Sequence, residues 1–110
     1  MLSFFAKMVS NMKDYSKMSD FEINKAVSTA LGMDVSGATE ENNIMYGYVP
    51  DICSKPSDAM PILIENRISL TWVNGECRAS SVKAGYHEFS CGNALRAAMI
   101  VYLMIKDEEK

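Results

Sequence analysis

Apolar positions recur at helical spacing over 20–31, where Ile23, Val27, Ala30 and Leu31 form one stripe. Ser19 followed by Glu22 predicts a capping box, with Met18 placed to staple onto Ile23 and Gly32 as a left-handed stop. The stretch 34–43 is polar and contains Gly, Asp and Asn, which predicts a surface loop. Ile44, Tyr46 and Tyr48 then alternate with their neighbours, predicting a short strand over 44–49 with Gly47 as a bulge. A loop ending at Pro56 leads to a helix over 58–66, for which Asp58 is the expected cap. That choice puts Pro61 in the first turn and Met60, Leu63 and Ile64 on the inward stripe.

After Asn66 the period becomes two. Ile68, Leu70 and Trp72 point one way, with Trp72 expected as a core anchor, and Ser69, Thr71 and Val73 point the other. Asn74-Gly75 suits a type I′ turn, since both residues tolerate positive φ. The return strand, 76–82, places Cys77, Ala79 and Ser81 on one face, and a further strand is expected at 86–89. Over 93–107, Leu95, Ala98, Met99, Tyr102 and Leu103 make an apolar face, and Ile100, Val101, Met104 and Ile105 cover much of the rest. A helix apolar nearly all round is buried on more than one side, either against the sheet or in a homodimer interface. The expected fold is α+β: a small antiparallel sheet, the hairpin at about 68–82 plus one or two further strands, packed by about three helices (20–31, 58–66, 93–107). Residues 1–11 are expected to be an N-terminal extension, with Phe4, Phe5, Met8 and Val9 on a helical stripe, and 12–110 a single domain.

Composition narrows the function classes. The 110 residues carry a net charge of -3, and 56–105 balances four cations (Arg67, Arg78, Lys83, Arg96) against four carboxylates. No basic field exists to hold a phosphate backbone, so nucleic acid is disfavoured unless those four cations share one face. Three cysteines and no basic region ahead of the apolar LSFFA suggest free thiols in a reducing cytoplasm. The apolar run around 97–105 falls short of the roughly 20 residues a membrane span needs.

Candidate chemistry is sparse. His87 and Cys91, with Cys53 and Cys77, could form a zinc set by ligand type, but no closely spaced cysteine pair occurs. A Cys91–His87 nucleophile pair lacks a defined orienting group. Asp51, Asp58 and Glu65 could be drawn as an acid/base set, yet Asp58 is accounted for as a cap and Glu65 by a solvated helix face. Neither phosphate-binding glycine fingerprint occurs. No cofactor, metal or catalytic residue is therefore expected. Arg96 stands out as a charge in the first turn of an apolar helix; it is expected to pair internally with Glu65 or Glu88, the alternative being an anionic ligand. A ligand or ion-pair site would collect Arg96, Asp58, His87 and Glu65, and an interaction surface would use Tyr46, Tyr48, Met60 and Tyr86.

Four segments carry a resemblance: YSKMSDFEINKAV from Tyr15, DIC at Asp51–Cys53, PSDAMPILIENRISL from Pro56, and NALRAAMIVYLMI from Asn93. Together they resemble the NinX-like family of small phage and prophage proteins over roughly 12–107. Relatives have Trp at the position of Met60 and Pro at that of Ala94, so this chain lacks that aromatic anchor. The resemblance implies an accessory gene of a lambdoid-type phage or prophage in an enteric bacterium; it does not imply a biochemical activity. The expected function is a non-enzymatic accessory protein that binds a host or phage protein. The alternative is a ligand-binding domain or small enzyme with a pocket near Arg96, Asp58 and His87.

Overall fold

A computed structural model describes residues 14–109. A 3₁₀ turn at Tyr15–Lys17 is followed by α1 (Asp20–Ala30), α2 (Glu40–Tyr46), α3 (Pro56–Glu65), β1 (Ser69–Val73), β2 (Glu76–Ser81), β3 (His87–Cys91) and α4 (Ala94–Glu109). The three strands form an antiparallel meander in the order β1-β2-β3, so the fold is α+β. The extension expected at 1–11 lies outside the described residues.

Several elements follow directly from local chemistry. The Ser19 hydroxyl accepts the Glu22 N–H at 3.1 Å, and the Glu22 carboxylate accepts the Ser19 N–H at 3.0 Å, which closes the capping box of α1. At its other end the Gly32 and Met33 amides donate back to the Thr29 and Ser28 carbonyls, with Gly32 at φ +92°. That pattern satisfies carbonyls the helix would otherwise leave orphaned. The Asn74-Gly75 turn has both residues at positive φ, 53° and 82°, and sets the register Trp72↔Cys77 and Leu70↔Ala79. The helix ending at Glu65 closes in the same way as α1, but with Arg67 rather than glycine in the left-handed position (φ 53°).

Helix α4 is the organising element. Ala97 through Leu103 and Ile105 are buried, and the helix lies chiefly across β2, β3 and α1, with further contact to α3. Cys77, Ala79 and Ser81 form the buried face of β2. Leu95 and Met104 of α4 are only partly buried. A second, smaller core of Val35, Ala38 and Val49, with Phe21 against it, sits apart from the main one.

Four expectations are corrected. Residues 40–46 are helix, not a loop running into a strand, because Thr39 and Asn42 cap each other and Gly47 (φ +65°) ends the helix as a left-handed cap rather than a bulge. Helix α3 starts at Pro56, so Asp58 is a first-turn residue and Lys55 occupies the cap position. This earlier start also changes the buried stripe: Ala59, Ile62 and Leu63 face inward, leaving Met60 and Ile64 exposed. In α1, Ile23, Asn24, Val27 and Ser28 are buried, while Ala30 and Leu31 are exposed. Trp72 is 66 % exposed, because β1 is the edge strand that α4 reaches least.

Candidate functional site

Helix α2 is fixed in place by polar bonds rather than by burial. The Thr39 hydroxyl accepts from Asn42 N–H at 3.2 Å, and Asn42 Oδ1 accepts from Thr39 N–H at 2.8 Å. Asn43 grips the chain beyond the helix: its Oδ1 accepts the Val49 N–H at 2.6 Å, and its Nδ2 donates to the Val49 carbonyl at 3.3 Å. Lys25 of α1 donates to the Ala38 carbonyl at 2.7 Å, tying the preceding turn to the body. None of the seven residues of α2 is buried. Ile44 is 88 % exposed, Met45, Tyr46 and Tyr48 are also open, and the two tyrosine rings lie 5.5 Å apart at 31°.

A cavity of about 300 Å³ opens beside this ridge. Helix α1 contributes Asp20, Phe21 and Asn24, α2 contributes Glu40, Asn43 and Ile44, and the following loop contributes Val49, Asp51 and Ser54. Asn24 organises its floor. Buried at 4 % exposure, it accepts the Cys53 N–H at 2.9 Å and donates to Asp51 Oδ1 at 3.1 Å. These two bonds satisfy a polar side chain that would otherwise be costly to bury.

The residues of the expected ligand site are spread over three elements, α3, β3 and α4. Arg96 is indeed held internally, but by Asp20 rather than Glu65 or Glu88. Its Nη1 lies 2.8 Å from Asp20 Oδ1, while Nη2 donates to the carbonyls of Tyr15 and Met18. His87 Nε2 lies 2.9 Å from the Ala84 carbonyl. Asp58 is exposed on the first turn of α3. Glu65 lines a separate cavity of about 380 Å³ with Arg67, Val82 and Lys83, and Glu88 takes the Tyr86 hydroxyl at 2.9 Å and faces Arg78 at 3.7 Å. The bond from Tyr86 to Glu88 holds the phenol above its ordinary pKa.

Of the expected interaction residues, Tyr46 and Tyr48 stand together, whereas Met60 belongs to α3 and Tyr86 to the turn before β3. Sequence reading missed Ile44, Glu40, Asn24 and Asn43 as members of one site, and it met Asp51 only as a candidate acid. The available signal was Thr39 and Asn42 at capping-box spacing, with Glu40 and Glu41 in the first turn.

No group of three or more potential metal ligands that could hold an ion occurs among the described residues. No helix among them is long and apolar enough to cross a membrane. The thiols differ in reactivity. Burial, reinforced by the Asp20 charge, pushes the Cys53 thiol up to about 12. Cys77 is fully buried, while Cys91, opposite it across the β2–β3 ladder, is only half-buried. Thiolate formation and access govern the reaction with a disulfide reagent. Native protein is therefore expected to show one fast thiol, abolished by Cys91→Ser, and two that react only on unfolding. Two fast thiols would contradict this packing.

The family model described as Bacteriophage P22, NinX matches residues 14–106. No curated protein and no solved structure matches the chain.

Proposed function

The chain belongs to the bacteriophage P22 NinX family, and we propose that it serves its phage as an accessory protein that binds a host or phage protein through the α2 ridge. The observation that carries this reading is a helix tied down by four polar bonds while its large apolar residues stay in water. Evolution of a soluble fold does not require such a ridge, and contiguous exposed apolar surface is the ordinary mark of a docking site. Preformed geometry also lowers the ordering cost of association. Tyr46 and Tyr48 add broad contact area with few rotatable bonds.

Charge supports a protein partner over nucleic acid. Of the four cations that would have to share a face, three are already engaged: Arg96 holds Asp20, Lys83 donates to Asn66 Oδ1 at 3.2 Å, and Arg78 faces Glu88. A small-ligand site around Arg96 gains little support, since its guanidinium already serves one carboxylate and two carbonyls.

The test is paired affinity purification with mass spectrometry from host cells infected with the phage that carries the gene. Wild type, Ile44→Asp and Val82→Asp serve as baits, since both replaced residues are more than 70 % exposed and neither substitution disturbs the core. Wild type and Val82→Asp are expected to recover the same partner, with at least a tenfold loss for Ile44→Asp. No reproducible partner, or equal recovery by Ile44→Asp, would overturn the reading.

A further inference from the structure

We infer that the partner presents a basic, amphipathic segment whose lysine or arginine side chain enters the cavity beside α2 while its apolar residues cover the ridge. This inference rests on the α2 ridge being the binding surface and adds the chemistry of what binds. Among the described residues the cavity lining holds three carboxylates, Asp20, Glu40 and Asp51, and no lysine or arginine. Arg96 neutralises Asp20 from outside the lining, which leaves Glu40 and Asp51 as two negative charges without a cation partner among the described residues. Lys25, also on α1, is directed instead to the carbonyls of Ser36 and Ala38.

Each carboxylate gives one oxygen to an internal donor. Asp20 receives Arg96, Glu40 the Ser19 hydroxyl at 3.3 Å, and Asp51 the Asn24 amide. Those bonds engage one oxygen of each acid, and among the described residues the second is left to an incoming donor, which suits an ammonium or guanidinium group. Phe21, Ile44 and Val49 supply the apolar wall against which the methylene stem of a long cation would pack. At about 300 Å³ the cavity is at the lower limit for a small-molecule pocket and matches a single long side chain better than a large ligand. Ile44 belongs to both the cavity wall and the exposed ridge, so one segment can occupy both at once.

The test is selection of random displayed peptides on the immobilised full-length chain, followed by fluorescence anisotropy with the synthetic winners. Three variants accompany wild type: Ile44→Asn, the pair Glu40→Gln with Asp51→Asn, and Val82→Asn. The amide substitutions keep an acceptor for Ser19 and Asn24 and so preserve the local bonds. Winners are expected to place Lys or Arg next to an aliphatic or aromatic residue. Their binding should weaken at least tenfold in Ile44→Asn and in the amide pair, fall with added salt in wild type, and stay unchanged in Val82→Asn. Neutral or acidic winners that depend on Ile44 but not on the carboxylates would overturn the basic partner and leave the ridge standing. Winners indifferent to Ile44, or none at all, would overturn both.

Discussion

Replacing Ile100 with alanine is expected to destabilise the protein by about 3–4 kcal/mol, the cost of a cavity in a core that cannot collapse around it. Ile100 is fully buried, and so are its neighbours in sequence from Ala97 to Val101. Being buried all round, this part of α4 has no solvent-facing side toward which the structure could relax. The helix meets α1, α3 and the sheet, so a void at its middle weakens every layer together. A domain of this size has a stability of order 5–15 kcal/mol, so Tm should fall by roughly 15 °C. Ile64→Ala is the matched control. Its side chain is exposed on α3 and should change stability by no more than about 0.5 kcal/mol. Thermal unfolding followed by circular dichroism distinguishes the two, and a similar small effect at both positions would show that α4 is not central.

Arg96→Met is expected to cost about 2–3 kcal/mol. Methionine retains most of the apolar stem, so the change reports mainly on the guanidinium. The side chain is only 16 % exposed, and its guanidinium joins α4 to the start of α1 through Asp20 and to the chain ahead of it through the Tyr15 and Met18 carbonyls. Without it two carbonyls lose a charged donor, and the segment 15–18 loses its tie to α4. The Tyr15 hydroxyl still donates to Asp107, so the segment is not wholly released. Hydrogen exchange should therefore accelerate at 15–19 by more than at the β1–β2 hairpin. Arg78→Met breaks only a half-exposed pair at 3.7 Å and should cost less than about 1 kcal/mol. Equal costs at the two arginines would contradict the role given to Arg96.

Much of the fold was legible because its determinants are local. Ser19 with Glu22, Asn74 with Gly75, and the all-round apolar helix after Asn93 each carry their own geometry, and all three appear where expected. Helix α2 was misread because Ile44, Tyr46 and Tyr48 imitate a strand's alternation. The opposing signal lay upstream, in a Thr39–Asn42 box whose asparagine replaces the usual acid or glutamine. The start of α3 was misplaced because Asp58 is a good cap in isolation, whereas Pro56 at the first helical position decides the boundary.

Other features are tertiary. The alternation around Trp72 correctly gave its face of the sheet, but its exposure depends on how far α4 extends over the edge strand. Arg96 was recognisable as anomalous, yet its partner Asp20 lies 76 residues away in sequence. The cavity likewise draws on three separated segments, so no spacing in the chain announces it.

The central claim is that a protein partner sits on the α2 ridge. The most direct measurement places the photo-cross-linking residue p-benzoylphenylalanine at position 44 or at position 82 and irradiates phage-infected cells. Ile44 and Val82 are both strongly exposed, so either position carries the probe without disturbing the core. A discrete adduct from position 44 that is absent from position 82 is the predicted result. No adduct from position 44, or the same adducts from both positions, would contradict it.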